Sequence, residues 1–290
     1  MRFLGKAVLS YRHGFHAGNH ADVLKHLVLS LIAQSLNKKE KPYFFMDTHA
    51  GGGRYALNSE MSLKNREFES GVRKIWLHPH LPSAFSVYLE ALKSTNPGSE
   101  LRWYPGSPRI ICHFLRPHDR MVLAELHSSE YQHLAREFKG DPRVRVEALD
   151  GYQVLKAELP PKERRGLVHI DPAYEMKGER RRVMEALTDG IRRWATGIFA
   201  VWYPIQDGAT RDEFLRRIHK LEIPKTLVVE LMVRKEEPFR LNGSGMILIN
   251  PPWQLDQELR SLLPFLSDLL GEGGQGSSRL EWLHGELPAA

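Results

Sequence analysis

The sequence predicts an α/β fold with a mostly parallel β-sheet and helices on both of its faces. Between residues 121 and 221, short apolar runs alternate with helical segments, which is the rhythm of strand–helix–strand units. Two later strands, at 226–233 and 246–249, are separated only by residues 234–245. That connection is too short for a helical crossover, so we expect these two strands to pair antiparallel.

The composition is that of a globular chain of 290 residues, enough for one large or two small domains. Hydrophobic residues make up 42% and charged residues 26%, which excludes a disordered chain, and no apolar run is long enough to cross a membrane. The single cysteine, Cys112, excludes an internal disulfide framework and favours the cytoplasm. The net charge of +6 favours a polyanionic partner.

An N-terminal arm at residues 9–20 is rich in histidine, arginine and aromatic residues. His13, His16 and His20 have no cysteine or carboxylate at a recognised ligand spacing, so we predict no metal site. We expect instead a polar or stacking surface for a nucleotide.

A helix is predicted from about residue 19 to residue 36, where apolar residues repeat at helical spacing. Asn19 is the expected N-cap. Lys25 and His26 lie partly off the apolar stripe, and the pattern alone indicates solvated polar positions for both.

A glycine-rich turn follows the short apolar run at residues 42–46. A strand that leads into Asp47 and then Gly51-Gly52-Gly53 is typical of the ligand-binding corner of a doubly wound sheet. The turn lacks the three spaced glycines of the dinucleotide fingerprint. It fits the looser acidic-x-Gly-x-Gly-x-Gly pattern of methyl-donor sites, with His49 in place of the first glycine.

Residues 54–102 interrupt the α/β rhythm and are predicted to form a small helical insertion. After it, Ser107 with Pro108 matches the start of a helix, with Ser107 as N-cap and the helix running to about residue 115. Cys112 lies inside this helix among apolar residues, as a small buried hydrophobe.

Acidic residues follow the strands at four successive positions: Asp47, Glu125, Asp150 and Asp171. Ligands bind at the carboxyl ends of strands in open α/β sheets. An acid after the second strand suits two ribose hydroxyls, and Asp150 with Gly151 suits an adenine edge. Together with the glycine turn, these residues favour an S-adenosylmethionine site.

The fourth acid opens the motif Asp171-Pro172-Ala173-Tyr174. A carboxylate and a neighbouring backbone carbonyl can accept both hydrogens of one exocyclic amino group, while an aromatic ring stacks on the base. This combination suits chemistry on the amino nitrogen of a flipped-out nucleobase. An ordinary Asp-Pro turn after a strand is the structural alternative.

Several long segments resemble the family of ribosomal RNA large subunit methyltransferase J, a 23S rRNA adenine-N6 methyltransferase. The resemblance covers residues 9 to about 252, and it is carried by Ser10-Tyr11-Arg12-His13, by residues 16–26, by Asp47-Thr48-His49-Ala50-Gly51, by Tyr104-Pro105-Gly106-Ser107-Pro108, by Ile170-Asp171-Pro172 with Tyr174-Glu175-Met176-Lys177, by Tyr203-Pro204 and by residues 249–253. It implies a single class I (Rossmann-like) S-adenosylmethionine-dependent methyltransferase domain over residues 1–290, with a mostly parallel seven-stranded sheet. We expect the helical insertion at 54–102 within it and a flexible C-terminal tail at 271–290.

The resemblance also assigns roles to individual residues, with S-adenosylmethionine as cofactor and 23S rRNA as partner, and we expect a monomer. The methyl donor is expected against Lys25, His26, His49, Ser107, Glu125, Asp150, Gly151 and Asp171. Catalysis falls to Asp171, Pro172 and Tyr174, and substrate binding to Tyr11, Arg12 and Tyr174. One departure is that Ala173 stands where the family usually has a second proline, which loosens the turn and puts the rate in question.

Three other functions remain open on the sequence. The first is methylation of another amino group, such as DNA adenine N6, guanine N2 or a protein glutamine, although Asp171 rather than an asparagine weakens the last. The second is a non-catalytic RNA-binding module, suggested by the arginines at 180–182 and 192–193. The third is a nucleotide-binding oxidoreductase, which the missing dinucleotide fingerprint disfavours. Methylation at pyrimidine C5 needs a cysteine nucleophile, and Cys112 is placed away from every strand end.

Overall fold

The centre of the computed structural model, which describes residues 11–285, is an eight-stranded β-sheet. The strands of the chain are β1 (Phe44–Asp47), β2 (Arg54–Ala56), β3 (Trp103–Pro105), β4 (Arg120–Ala124), β5 (Val144–Glu147), β6 (Gly166–Ile170), β7 (Ile198–Ile205), β8 (Thr226–Met232), β9 (Gly243–Ile249) and β10 (Ser277–His284). The large sheet has the order β10-β8-β9-β7-β6-β1-β4-β5, and β2 and β3 form a separate ribbon.

The strand directions confirm the predicted α/β class. Strands β5, β4, β1, β6 and β7 run parallel, whereas β9 lies antiparallel between β7 and β8. The chain moves outward from β1 to β4 and β5 on one side and to β6 and β7 on the other, which makes β1 the switch point of the sheet. The carboxyl ends of β1, β4 and β6 therefore border the crevice where such sheets bind ligands.

The sheet has eight strands, not seven, because the segment expected to be a flexible tail forms its edge strand. Residues Ser277–His284 pair antiparallel with β8. The glycines before this strand permit a close approach: a Cβ on Gly276 would lie 1.9 Å from the Ser267 carbonyl oxygen. The glycine run that suggested a linker thus makes a tight turn, and the flexible-tail prediction is wrong for 277–284. Residues 286–290, like Leu9 and Ser10 of the arm, lie outside the described residues.

Helices cover both faces of the sheet. They are α1 (His20–Asn37), α2 (Glu60–Asn65), α3 (Glu67–Ser70), α4 (Val72–Leu77), α5 (Ser86–Thr95), α6 (Ser107–Phe114), α7 (Ser128–Glu137), α8 (Gly151–Glu158), α9 (Glu179–Arg193), α10 (Gly208–His219) and α11 (Leu255–Leu270). Helices α1, α5, α6 and α11 share one hydrophobic core, and α8, α9 and α10 share the core on the opposite face. Within residues 11–285, no helix is both long and apolar enough to span a membrane.

Helix α1 is buried on nearly every side, including the side that carries its charged residues. Asn19 caps it as predicted, since its side-chain oxygen accepts the backbone N–H of Asp22 at 3.0 Å. The buried residues of the helix include Asp22, Lys25 and His26, so the expectation that Lys25 and His26 are solvated is wrong. Charged groups removed from water need partners nearby.

The segment predicted as a helical insertion lies between β2 and β3. It contains α2, α3, α4 and α5, and the buried side chains of Phe68, Ile75, Phe85 and Tyr88 join the core on the side of α1. The boundaries 54–102 and the division of the chain into one domain with an insertion stay predictions. At the next helix, Gly106 rather than Ser107 is the N-cap, and Ser107 is the first helical residue.

Candidate active site

Asp171 follows the last residue of β6 and is bound by Lys25 of α1. The Lys25 ammonium donates to Asp171 Oδ2 at 2.6 Å and also lies 2.9 Å from Asp22 Oδ1. His169, at the end of the same strand, places its Nε2 3.7 Å from Asp171 Oδ2, beyond hydrogen-bond distance. Asp171 Oδ1 accepts no hydrogen bond from the described part of the chain.

The ion pair decides the charge of this carboxyl group. Burial opposes ionisation of Asp171, but the neighbouring Lys25 and His169 outweigh it and hold its pKa below the usual range. Burial likewise opposes the charge on Lys25, and the two carboxylates outweigh it, so the pKa of Lys25 is raised. Asp171 is therefore an anion and Lys25 a cation at neutral pH.

Asp22 connects this pair to the N-terminal arm. Its Oδ2 accepts the Gly18 N–H at 2.8 Å and lies 2.8 Å from His13 Nε2. Because His13 Nε2 faces a carboxylate, Nδ1 is free to accept the Tyr11 hydroxyl, which lies 2.8 Å away. A chain of contacts thus runs from Tyr11 to Asp171, and the structure brings these two predicted site residues into one cluster.

Tyr174 is held rigidly beside Asp171. Its hydroxyl donates to the Trp202 carbonyl at 2.7 Å, and its ring meets the Trp202 indole edge-on at 5.9 Å. Tyr174 also has φ +57°, in the left-handed region that a tyrosine rarely adopts. The Arg180 guanidinium lies 5.5 Å above the ring, so one face of Tyr174 is covered by a cation.

At the end of β1, Asp47 organises the glycine turn. This fully buried carboxylate accepts the Ser107 hydroxyl at 2.6 Å and the His49 N–H at 3.1 Å. Burial is the largest effect on Asp47 and raises its pKa. The Ser107 hydroxyl is thus directed at the buried Asp47, on the inner side of the glycine turn. His49 Nδ1 lies 2.8 Å from the Thr48 hydroxyl, and burial lowers the pKa of His49 to about 4, so its ring is neutral.

Glu125 lies at the end of β4 and faces the same turn. Its two oxygens accept the Gly51 N–H at 2.8 Å and the His127 N–H at 2.7 Å. Burial raises the pKa of Glu125 to about 7. These two hydrogen bonds hold the carboxyl group in place. Its remaining lone pairs can accept hydrogen bonds from hydroxyl groups.

Asp150 and Gly151 stand where β5 leads into α8. Asp150 accepts the Tyr152 N–H at 2.9 Å and the Arg182 guanidinium at 2.6 Å. A Cβ on Gly151 would lie 1.9 Å from the Thr48 carbonyl oxygen. Gly151 therefore allows the start of α8 to touch the turn after β1, and it brings Asp150 to the crevice.

Two predicted residues are less closely joined to this cluster. His26 binds the Tyr104 hydroxyl through Nδ1 at 2.6 Å, and its buried Nε2 has no hydrogen-bond partner among the described residues. Burial lowers the pKa of His26 to about 3, so the ring is neutral. Arg12 is exposed and donates to Ser129 Oγ at 3.3 Å. In residues 11–285, no group of three or more His, Cys, Asp and Glu side chains is arranged to hold a metal ion.

Comparison with known proteins agrees with this geometry. Residues 40–284 match the family model "Ribosomal RNA large subunit methyltransferase D, RlmJ". The chain belongs to this family. It is 48% identical over 280 residues to ribosomal RNA large subunit methyltransferase J of Escherichia coli (strain K12), covering 95% of this chain and 99% of the relative. The protein of the same name from Haemophilus influenzae is 45% identical over 278 residues, with the same two coverages.

A solved structure of a Legionella pneumophila protein supports the same placement. It is 36% identical to this chain, with a TM-score of 0.85, and the match covers 92% of this chain and 98% of that one. The family model and the two relatives confirm the family resemblance drawn from the sequence motifs.

Several residues of this family member's site escape sequence reasoning. Asp22 holds Lys25 and His13, His169 lies beside Asp171, Trp202 positions Tyr174, and Arg182 binds Asp150. Two of them leave a signal: Asp22, an acidic residue between the apolar Ala21 and Val23 of α1, and a histidine inside the apolar run of β6. Buried polar groups in such positions need partners, which is itself an indication of a site.

Proposed function

We propose that this chain transfers a methyl group from S-adenosylmethionine to the N6 amino group of an adenine in 23S rRNA. The observation that carries the proposal is Asp171 Oδ1, which accepts no hydrogen bond from the described part of the chain and is followed in sequence by the Pro172 carbonyl. Asp171 is anchored through Oδ2 to Lys25, so Oδ1 stays fixed and open to a hydrogen-bond donor. A planar amino group has two hydrogens to donate, one for Asp171 Oδ1 and one for the Pro172 carbonyl.

These two acceptors address the chemical difficulty of the reaction. The lone pair of an adenine amino group is delocalised into the ring, which makes the nitrogen a poor nucleophile. Hydrogen bonds to Asp171 and Pro172 orient the nitrogen and stabilise the positive charge that develops as it is methylated. Tyr174 stacks on the base with the ring face that Arg180 leaves open, and its bond to Trp202 keeps that ring in position.

The proton released by the methylated nitrogen goes to water rather than remaining on Asp171. Two hypotheses follow from the sequence, with either Asp171 or water as the proton acceptor. The ion pair with Lys25 holds the pKa of Asp171 below its usual range, which makes this carboxylate a weak base. Asp171 therefore acts by orientation and charge, and its proton affinity contributes little.

The residues around β1, β4 and β5 fit the methyl donor. S-adenosylmethionine supplies an electrophilic methyl group on a sulfonium sulfur. Glu125 suits its ribose hydroxyls, Asp150 with Gly151 suits its adenine edge, and Lys25 with His26 suits its methionine end. The unpartnered Nε2 of His26 is a further polar atom for the donor.

Our proposal for the partner is the polyanionic rRNA, bound by a chain of net charge +6. Tyr11 and Arg12 of the arm are placed on the substrate side, with the enzyme acting as a monomer in the cytoplasm. Tyr11 reaches the site through His13 and Asp22. Arg12, being exposed, is suited to a phosphate contact.

Transfer of labelled methyl groups to separate RNA, DNA and protein substrates tests this function. We expect label on N6 of adenine in unmodified 23S rRNA and none on duplex DNA or on protein glutamine. Asp171→Ala should lose transfer while calorimetry shows donor binding largely intact. Label on DNA or protein in place of RNA, or turnover by Asp171→Ala, would contradict the proposal.

A further inference from the structure

The loop between β8 and β9, residues 233–242, stands on the same edge of the sheet as Asp171. In the parallel register Ile170 of β6 pairs with Val201 of β7, and β7 continues to Ile205. That extension carries the chain about 13 Å beyond the level of Ile170. Ile205 pairs with Gly243, the first residue of β9, so the loop that enters β9 rises above the catalytic motif.

The loop has a defined conformation, because hydrogen bonds of the buried Asn242 hold it in place. The Asn242 side chain donates to the Gln206 carbonyl at 2.7 Å and to the Glu237 carbonyl at 2.9 Å, and it accepts the Glu237 N–H at 3.1 Å. Its backbone N–H donates to Ile205 at 2.9 Å. Arg234 adds a bond to the Leu241 carbonyl at 2.8 Å. These hydrogen bonds fix the base of the loop, and the base in turn holds the tip.

At the tip, Phe239 projects entirely into solvent. Its exposure is 103%, the highest of the large hydrophobic residues in the described part of the chain. Its backbone has φ +61°, in the left-handed region, where a side chain with a Cβ is disfavoured by about 1–2 kcal/mol. Neither packing nor backbone preference explains a phenylalanine here, since Gly or Asn fits this conformation better.

Phe239 also shares a surface hollow with the residues that follow β7. It lines a surface hollow of about 510 Å³ together with Gln206, Asp207, Glu236 and Pro238. The Thr210 N–H is the main reason that the pKa of Asp207 is lowered, and the charge of Arg180 adds to it. Arg180, which lies over the Tyr174 ring, is thus within electrostatic range of both the catalytic motif and Asp207.

We propose that Phe239 is a stacking contact for an unpaired base of the substrate RNA next to the target adenine. The inference rests on the proposed function. Asp207 and Glu236 in the hollow repel phosphates, so the contact is with a base face and not with the backbone. An exposed aromatic ring on a rigid loop suits this role, because every base offers a π-face and a rigid ring loses little freedom on stacking.

Affinity for an in vitro transcript of unmodified 23S rRNA, measured by filter binding at fixed salt, tests the contact. Phe239→Ala should weaken binding about fivefold to a hundredfold, the range for loss of one stacked base. Donor affinity by calorimetry should not change. Phe239→Trp should retain or improve RNA affinity. Phe239→Gly should weaken RNA binding while its melting temperature stays the same or rises, since glycine relieves the backbone.

Trp253→Ala is the matched control. Trp253 is 83% exposed and follows the end of β9 at Ile249, which pairs with the start of β7 on the opposite edge of the sheet. Its loss should leave RNA affinity unchanged. RNA binding by Phe239→Ala within twofold of the unaltered protein, or an equal loss in Trp253→Ala, would overturn the inference. Failure of the unaltered protein to methylate the transcript would instead overturn the proposed function, because RNA affinity is measured without turnover.

Discussion

Replacing Lys25 by methionine removes the cation that lies between two buried carboxylates. Asp22 would keep His13 and the Gly18 N–H as partners, but Asp171 would keep only His169 at 3.7 Å. Breaking a buried ion pair on one side costs about 3–5 kcal/mol, because it leaves an uncompensated charge. For 290 residues, at about 2.1 cal/mol/K of unfolding entropy per residue, this lowers Tm by about 5–8 °C.

The pH dependence of this loss identifies its cause. In the unaltered protein Lys25 lowers the pKa of Asp171 against the effect of burial. The Asp171 carboxylate therefore stabilises the fold fully above its unfolded pKa, and this stability is lost as the pH falls through the lowered pKa of the folded state. In Lys25→Met burial is opposed by the more distant His169 but no longer by Lys25, so we expect the pKa of Asp171 to rise above its unfolded value. Protonation then relieves the buried charge as the pH falls, so the variant recovers stability.

We therefore expect the difference in Tm between Lys25→Met and the unaltered protein to be larger at pH 8 than at pH 5.5. Thermal unfolding followed by circular dichroism measures it. Lys93→Met, at an exposed position of α5, is the matched control and should change Tm little at either pH. A loss of the same size at both pH values, or no loss at all, would refute the reasoning.

Three further predictions concern the donor site, the motif and the arm. Because the pKa of Glu125 is raised to about 7, donor affinity should increase as the pH rises through 7 in calorimetric titrations, and Glu125→Gln should abolish that dependence; the same dependence in the variant would exclude Glu125 as its source. Ala173→Pro should hold or raise the rate of methylation, since the Ala173 N–H makes no hydrogen bond within residues 11–285 and proline stiffens the turn; a large loss of activity would show that the turn needs the freedom of alanine. Tyr11→Ala should slow single-turnover methylation with donor affinity unchanged, through loss of stacking worth about 1–3 kcal/mol; a fall in Tm that accounts for the whole loss of rate would reduce Tyr11 to a packing role.

The fold was largely predictable because its signals are local. Short segments rich in apolar residues marked the parallel strands, and Asn19 marked the start of α1 as its N-cap. The short connection before β9 predicted the antiparallel pair with β8. Strand β10 was missed because the glycines before it read equally well as a linker, whereas Gly276 is required for a close approach to the Ser267 carbonyl.

The site was predictable only in part, because contacts between segments that are far apart in sequence decide how its charged groups pair. The rule that ligands bind at the carboxyl ends of strands predicted Asp47, Glu125 and Asp150 without side-chain geometry. Contact of Glu125 and Asp150 with the donor stays a prediction. Lys25 looked solvated from its position on the helical pattern, and only tertiary packing shows that it binds Asp171, 146 positions later. The same packing hides the role of Asp22, whose partners come from the arm and from α1.

Mass spectrometry of 23S rRNA tests the central claim most directly. RNA would be taken from a strain that lacks this gene and from the same strain expressing either the unaltered chain or Asp171→Asn. We expect one N6-methyladenine to be missing from the deletion strain and restored by the unaltered chain. Asp171→Asn, which keeps the shape and loses the charge, should transfer methyl groups at least about a hundredfold more slowly to the purified transcript. An unchanged set of methylated adenines in the deletion strain, or full activity in Asp171→Asn, would contradict the account.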